Sequence, residues 1–255
     1  MNRFARQRGA VAALAGFALG ALPFTVHAGP PFITDDPEPV DFQHWEINTA
    51  LTGSWRQGEA SAGIPVVDIN YGAAPDLQLH VQPRYSYERA EGGSQHGFDD
   101  TEIGVKYRLL NIRSGDVTWM LGTYPMYQAA TGATRLGPGR GLGQLFVPLW
   151  LQRNSGKWSA YGGAGYRFNR GPDSRNSVFA GATLLYEVSD GLQLGGEVFH
   201  ETPDSVGAKS TAGFNLGGIF NLRKNLNLLF SAGNSVNGDA ATNRHLIFVG
   251  LQVSR

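Results

Sequence analysis

Residues 77–88 read LQLHVQPRYSYE, and in this stretch every odd-numbered residue is apolar or aromatic while every even-numbered residue is polar or charged. Successive side chains of a β-strand point to opposite faces of a sheet, so the stretch has one apolar face and one polar face. The same alternation returns in twelve segments, almost to the C-terminus. It predicts an all-β chain, and it is compatible with either a soluble β-sandwich or a membrane β-barrel.

The connections between these segments separate the two folds, because short and longer ones alternate. Outer-membrane barrels have short periplasmic turns and longer external loops, so the alternation favours a closed, up-and-down antiparallel barrel of about twelve transmembrane strands. The strands are predicted at 44–57, 64–72, 77–89, 98–110, 117–128, 143–153, 157–168, 177–188, 191–202, 209–222, 225–235 and 243–253. The longer connections are predicted at 58–63, 90–97, 129–142, 169–176, 203–208 and 236–242.

Aromatic residues of the apolar face fall near the two ends of these strands. One group is Trp45, Tyr71, Trp119, Trp158, Tyr186 and Phe220, and the other is Trp55, Tyr87, Tyr127 and Phe168. Two aromatic belts with an aliphatic band between them are typical of strands that cross a membrane. Aromatic residues scattered through a soluble β-core are the alternative, and together with the loop lengths the belts favour the barrel.

The N-terminus has the pattern of a secretory signal peptide. Three arginines within the first eight residues precede an apolar stretch at 10–22, and residues 26–28 offer small side chains at the positions that a signal peptidase reads. We expect residues 1–28 to be removed and the mature chain to start at Gly29; a transmembrane anchor is the alternative. Beyond this stretch no apolar run approaches the roughly 20 residues of a membrane helix, so strands must do any spanning.

Composition excludes several classes of site. The chain has no Cys, which excludes a disulfide scaffold and a thiolate metal site. It has 21 Lys and Arg against 21 Asp and Glu, and three of the arginines lie in residues 1–28, so the mature chain has a net charge of about −3. This charge is unlike that of a nucleic-acid-binding domain. We predict no nucleic-acid partner, no cofactor and no metal.

Residues 29–43 differ from the rest of the chain because they hold four prolines and four acids within 29–41. Such a stretch forms neither a helix nor a central strand. We expect an acidic, Pro-rich periplasmic segment that can tuck into the barrel mouth as a plug, followed by the barrel at 44–255.

The polar face of each strand should line the lumen. Strands one to four carry both signs of charge there, opposite a side richer in amides, glycine and tyrosine, which predicts a conduit that orients a solute. The alternative is that acids and bases simply pair across a small, partly filled lumen. The predicted pore-lining residues are Glu46, Arg56, Asp68, His80, Arg84, Glu88, Glu102, Lys106, Arg108, Tyr124, Trp150 and Tyr161.

Catalysis finds little support in the sequence. None of the five histidines after residue 28 is followed two places later by Ser, which is the simplest way to place a base beside a nucleophile on one strand face. A cross-strand pair such as His80 with Ser54 is the remaining option. The glycine-rich stretch 137–143 lacks the Gly-Lys-Ser/Thr ending of a phosphate-binding loop. We therefore predict no catalytic residue.

Three motifs resemble a known family. They are the segment PFITDDPEPV at 31–40, the pair Trp45-Glu46 that opens strand one, and FDDTEIGVKY at 98–107. Together they resemble the outer-membrane proteins grouped as the MetA-pathway phenol-degradation family, which are described as transporters. The resemblance implies a barrel whose cargo includes aromatic or other hydrophobic small molecules, and it implies no catalytic residue.

The expected function is passive or facilitated passage of a small molecule through the outer membrane of a Gram-negative bacterium. Its expected partners are outer-membrane lipid, lipopolysaccharide at the basic external rim, the barrel-assembly machinery and the solute itself. A closed structural or adhesive barrel that acts through its loops is the alternative from another class. A lipid-modifying enzyme is the third hypothesis.

Overall fold

The computed structural model describes residues 30–132, 143–236 and 243–255. The expected signal peptide with its cut before Gly29, and most of the glycine-rich stretch 137–143, lie outside these residues. The described strands are β1 (Trp45–Arg56), β2 (Glu59–Ala74), β3 (Leu77–Gln82), β4 (Arg84–Ala90), β5 (Gly93–Phe98), β6 (Thr101–Ser114), β7 (Val117–Thr123), β8 (Met126–Ala129), β9 (Gln144–Ser155), β10 (Trp158–Phe168), β11 (Ser177–Ser189), β12 (Leu192–Glu201), β13 (Thr211–Arg223), β14 (Leu226–Val236) and β15 (Arg244–Ser254). In the same ranges no helix is long and apolar enough to cross a membrane.

The strands form one antiparallel sheet that closes on itself. The first strand, β1, pairs with β2 along one edge and with β15 along the other, from Glu46 opposite Ser254 to Trp55 opposite His245. Neighbours in sequence pair around the rest of the ring. Closure pairs β1 on both sides, so the sheet does not present the open edge whose unpaired backbone groups are costly in lipid. The fifteen segments form twelve barrel strands, hereafter staves: β3 with β4, β5 with β6 and β7 with β8 each make one stave, and each remaining strand is a stave by itself. The predicted closed antiparallel barrel of twelve strands is confirmed.

Three of the twelve staves are interrupted, and the prediction of continuous strands there was wrong. Pro83 separates β3 from β4, and residues 124–125, which include Pro125, separate β7 from β8. Proline has no N–H for the sheet ladder, so the pairing breaks at these positions. The third interruption is at residues 99–100, which separate β5 from β6. There the Asp99 N–H donates to the Arg84 carbonyl of the neighbouring stave at 2.9 Å.

The two ends of the barrel differ, although less than the sequence suggested. At the end where β1 begins, hereafter the turn end, two residues connect each pair of staves, as at 115–116 and 156–157. Gly115 and Gly156 have φ angles of 59° and 56°, a region that suits tight hairpins and costs glycine nothing. At the opposite loop end, 169–176 is a longer connection as predicted. The predicted long connections at 58–63 and 90–97 are wrong, because the strands continue to two-residue turns at 57–58 and 91–92.

The apolar face of the sheet points outward and the polar face inward. Outward residues are solvent-accessible in the isolated barrel, among them Leu51 (53% exposed) and Leu149 (50%), while polar residues such as Asn48 and Gln152 are buried inside. Pairs of the predicted aromatic belt touch at the turn end, where the rings of Trp45 and Tyr71 lie 4.5 Å apart. This inside-out arrangement suits a chain whose outer surface meets lipid.

We expect Leu149→Arg to destabilise the barrel by about 2–4 kcal/mol, because Leu149 lies halfway along the lipid-facing side of β9, where a charge meets the bilayer midplane. Leu145→Arg is the matched control, since Leu145 shares the strand and face but lies beside the loop-end belt residue Tyr127. It should cost roughly 0–1 kcal/mol. Denaturant unfolding in phospholipid vesicles measures both, and equal losses would contradict the assigned membrane position.

Candidate functional site

Residues 30–43, hereafter the N-terminal segment, lie inside the barrel. The segment leaves β1 at the turn end, where the Gln43 N–H donates to the Gly72 carbonyl at 2.7 Å. It then runs up the lumen, where most side chains of 31–40 are buried, and Thr34 and Asp36 are fully buried. Asp35, Asp36 and Glu38 therefore lie against the lining of the barrel, while Asp41 at the turn end is exposed.

On one wall the segment is held by Glu197 of β12. The two carboxylate oxygens of Glu197 accept hydrogen bonds from the backbone N–H groups of Ile33 (2.9 Å) and Thr34 (2.8 Å), and the Asn215 side chain donates to the same carboxylate at 2.7 Å. The Ser231 hydroxyl donates to the Pro31 carbonyl at 2.6 Å. Hydrogen bonds to a charged acceptor are stronger than those between neutral groups. This wall therefore holds the segment through hydrogen bonds to the backbone of the segment.

On the opposite wall the segment is held by charge. The Lys106 ammonium lies 2.9 Å from a carboxylate oxygen of Asp35 and 3.5 Å from one of Asp36. Nearer the turn end, the Gln78 side-chain oxygen accepts from the Val40 N–H at 2.9 Å. The Lys106 charge is thus compensated by two acids from a distant part of the chain, in a lumen where an unpaired charge is costly.

Glycines of the wall make room for the segment. A Cβ on Gly181 would lie 2.1 Å from the Thr34 hydroxyl oxygen, and one on Gly122 would lie 2.8 Å from the Pro37 Cβ. Neither distance is compatible with an added methyl group unless the segment moves. The absence of side chains at these two positions lets the segment approach the sheet backbone closely.

Above the segment the lumen is lined by an ion-pair network on one side. His80 lies between two acids: its Nδ1 is 2.8 Å from an Asp68 carboxylate oxygen and its Nε2 is 3.4 Å from one of Glu102. The Asn48 side-chain amide also donates to Asp68 at 3.1 Å. These contacts join β1, β2, β3 and β6 across the polar face.

The other side is aromatic. Tyr124, Phe146, Trp150 and Phe179 form a buried cluster, with Met126 and Phe199 packed against it. The rings of Phe146 and Phe179 are 6.3 Å apart and nearly perpendicular, at 86°. Edge-to-face pairs of this kind are favoured by the ring quadrupoles.

A cavity of about 350 Å³, hereafter the lumen cavity, lies between these two sides, with the N-terminal segment as its floor. Its polar side includes Asp68, His80, Arg84 and Glu102, its aromatic side Tyr124, Phe146 and Phe179, and its floor Phe32 and Ile33. The volume lies within the roughly 300–1,000 Å³ that small-molecule sites occupy. The site therefore offers a flat apolar surface facing a charged one.

The structure places five of the twelve predicted pore-lining residues around the lumen cavity: Asp68, His80, Arg84, Glu102 and Tyr124. Four more are buried deeper. Lys106 and Tyr161 contact the segment, the latter in a small core with Phe32 and Leu185; Trp150 lies in the aromatic cluster; Glu46 accepts from Asn48 at 3.3 Å.

The remaining three predicted residues lie elsewhere along the barrel axis. Arg56 is paired with Glu59 at the loop end, and Arg108 with Asp76 at 2.5 Å in a turn-end connection. Glu88 accepts from the Ser61 hydroxyl at 2.9 Å. The twelve residues thus surround the lumen at several depths and do not form one continuous row.

Sequence reasoning missed Phe146 and Phe179 as site residues. Phe146 lies inside the apolar run 145–151, where a residue that faces the lumen looks like its lipid-facing neighbours. The alternation along each strand could have identified them, because Phe146 and Phe179 fall at inward-facing positions of β9 and β11, a face that elsewhere carries polar residues. Large aromatics on a polar face mark a place where the lumen is not aqueous.

No arrangement for metal binding is found at this site. Within the three described stretches of the chain, no group of three or more His, Asp or Glu side chains is placed to hold a metal ion.

Three solved structures of similar fold are outer-membrane proteins of low sequence identity. The NanC porin is 9% identical (TM-score 0.56) and the KdgM porin 12% (TM-score 0.51), each over 81% of this chain and 98% of the other. The CymD monoaromatic hydrocarbon channel is 6% identical over 86% of this chain and 89% of the other, with a TM-score of 0.41. No curated protein sequence matches the chain.

The sequence itself matches one family model across residues 45–252, from the first residue of β1 almost to the end of β15. The match covers most of the chain and all the staves of the barrel. The chain therefore belongs to the family described as "Putative MetA-pathway of phenol degradation", and it is an outer-membrane β-barrel of that family.

Proposed function

We propose that the barrel is an outer-membrane channel for the passive or facilitated passage of small molecules, aromatic and hydrophobic compounds among them. The observation that carries this proposal is the lumen cavity, which lies on the barrel axis between an aromatic side and a charged side. Charged and aromatic groups that line a pore select and orient what passes through it. The porin folds of NanC and KdgM and the phenol-related family description support the same function.

The substrate path in this proposal runs through the predicted pore-lining residues that meet the cavity. Arg84 and Glu102 supply opposite charges on one side and Tyr124 an aromatic surface on the other. A solute that carries both an apolar and a polar part finds a partner for each. Lys106 joins this path only when the acids of the N-terminal segment leave it.

The N-terminal segment acts as a plug in this proposal. It crosses the lumen below the cavity and is fastened to opposite walls by Glu197 and Lys106. A solute in the cavity reaches the turn end only if the segment shifts or withdraws. The channel is therefore gated, and its resting state is closed.

A closed structural or adhesive barrel is the second candidate, and one observation favours it. The charges of the lumen are largely satisfied by one another, as in the contacts of His80 with Asp68 and Glu102. A lumen filled in this way could serve stability alone. Conductance separates the two functions.

We expect the refolded mature chain, residues 29–255, to show low or intermittent conductance in a planar bilayer, and a chain without residues 29–43 to conduct steadily. The deletion removes the floor of the lumen cavity and leaves the staves of the barrel intact. Steady conductance in both would mean an open pore rather than a plugged one. Silence in both, with β-structure and heat-modifiable migration intact, would contradict the channel and favour the structural barrel.

A point variant tests the plug without deleting it. Glu197→Gln keeps the shape of the side chain but turns one carboxylate oxygen into an N–H donor, which faces a backbone N–H of the segment. Loss of a charge-assisted hydrogen bond is worth roughly 1.5–3 kcal/mol, so the open fraction should rise on the order of tenfold or more. Asp190→Asn, at an exposed turn-end connection, is the control and should leave single-channel records unchanged.

The charged side of the path is tested by ion selectivity. In the chain without residues 29–43, Arg84→Ala combined with Lys106→Ala removes two lumen cations that no segment then covers. The reversal potential in a salt gradient should shift toward cation selectivity. An unchanged reversal potential would exclude these residues from the conducting path.

A further inference from the structure

We propose that the lumen cavity is a binding site for a small aromatic carboxylate, with the carboxylate on Arg84 and the ring against Phe146 and Phe179. This inference rests on the proposed function, since it names the substrate class of the channel. Three features of the cavity lead to it: a cation with no carboxylate at ion-pair distance among the described residues, an aromatic surface opposite it, and strand interruptions beside both.

The cation is Arg84. Its guanidinium donates a side-chain hydrogen bond to the Gln82 amide oxygen at 3.2 Å. Among the residues that the structure describes, no carboxylate lies within ion-pair distance of it. Arg84 also lines a second cavity, of about 270 Å³, which adjoins the first at Phe32 and Phe248. Arg84 therefore borders free space in two adjoining cavities.

The other charges of the lumen cavity already have partners. Asp68 and Glu102 both contact His80, at 2.8 and 3.4 Å. The Arg167 guanidinium lies 3.0 Å from a Glu201 carboxylate oxygen, so its charge is already paired. Glu102 and Glu88 attract Arg84 from a distance, but neither forms an ion pair with it at contact distance in the described part of the lining. What is left to be matched there is the hydrogen-bonding capacity of the Arg84 guanidinium. A planar guanidinium pairs with a carboxylate through two parallel hydrogen bonds, so a carboxylate is the anion that suits it.

The opposite side of the cavity suits a ring rather than an alkyl chain. Phe146 and Phe179 meet edge to face, and the Arg167 guanidinium covers the Phe146 ring at 4.6 Å from its centroid. Tyr124 continues this surface toward the charged side, where its ring meets His80 edge-on at 5.5 Å. A further aromatic ring can extend such a set of edge-to-face contacts, and an aliphatic group of the same size cannot.

Interruptions in the staves place these groups. Gln82 and Arg84 flank Pro83, Tyr124 and Met126 flank Pro125, and all four line the cavity. Breaks in a regular ladder change the direction of neighbouring side chains and recur beside functional sites. Here the two breaks lie on staves that pair with a common neighbour, β6, so the residues that flank both breaks meet in one space.

The test is isothermal titration calorimetry on the refolded mature chain in detergent micelles, with benzoate as the probe. Benzamide, which lacks the charge, and cyclohexanecarboxylate, which lacks the aromatic ring, are the matched comparison ligands. We expect benzoate to bind at least tenfold more tightly than either. Arg84→Gln should weaken benzoate binding about tenfold or more and leave benzamide unaffected, because a charge-assisted hydrogen-bonded pair is lost.

Further variants keep the result independent of folding defects. Arg84→Lys retains the charge but not the planar pair of donors, so it should bind benzoate between the parent chain and Arg84→Gln. Phe179→Leu should weaken benzoate and leave cyclohexanecarboxylate almost unchanged. Arg175→Gln, at an exposed position of the 169–176 loop, removes a cation outside the cavity and should change nothing.

The two experiments distinguish failure of the proposed binding site from failure of the proposed channel. Equal affinity for benzoate and benzamide, or no binding heat from a barrel with heat-modifiable migration, would overturn the carboxylate site even if the barrel conducts. A barrel that binds benzoate through Arg84 but stays silent in bilayers, with and without residues 29–43, would keep the site and overturn the channel.

Discussion

The pairing of β1 with β15 is the constraint on which the rest of the molecule depends. In lipid an unpaired backbone N–H or carbonyl costs several kcal/mol, and a sheet avoids this cost only by closing. Closure at twelve staves then sets the width of the lumen, between that of a filled eight-stranded barrel and that of an open porin. All the polar residues of the inward face must find partners within that width or meet water.

The N-terminal segment provides partners for some of these inward-facing polar residues. Its backbone N–H groups satisfy Glu197 and its acids satisfy Lys106, so two buried charges of the wall are matched by residues that precede the barrel in sequence. Wall glycines such as Gly181 and Gly122 allow the segment to lie close to the sheet. The result is a lumen divided into a filled part at the turn end and a cavity above it.

In the proposed function, that division is what makes a widely shared fold selective. The same barrel architecture occurs in the NanC and KdgM porins at 9% and 12% identity, so the fold alone says little about what passes. In this chain the lumen holds an aromatic cluster on β9 and β11, an ion-pair network on β2, β3 and β6, and Arg84 between them. The proposed gating and the proposed ligand both depend on these contents and not on the staves.

Much of the fold could be read from the chain. Alternation with a period of two located the twelve staves to within a few residues in most cases, because membrane strands expose one face to lipid and the other to a polar interior. The errors have local causes. Two predicted loops were tall hairpins, at 57–58 and 91–92, since polar residues above the membrane no longer alternate visibly. Pro83 and Pro125 were signals of interruption that the alternation around them concealed.

The sequence by itself determined which residues face inward, because the phase of a strand follows directly from its pattern, and the inward positions of Asp68, His80, Lys106 and Trp150 follow from it. Only the tertiary structure decided which inward residues meet. Contacts such as Glu197 with Thr34 or Lys106 with Asp35 join residues far apart in sequence, and their depth depends on strand tilt and register, which alternation does not encode. The cavity, with Arg84 on one side and aromatic rings on the other, exists only once the barrel has closed around the segment.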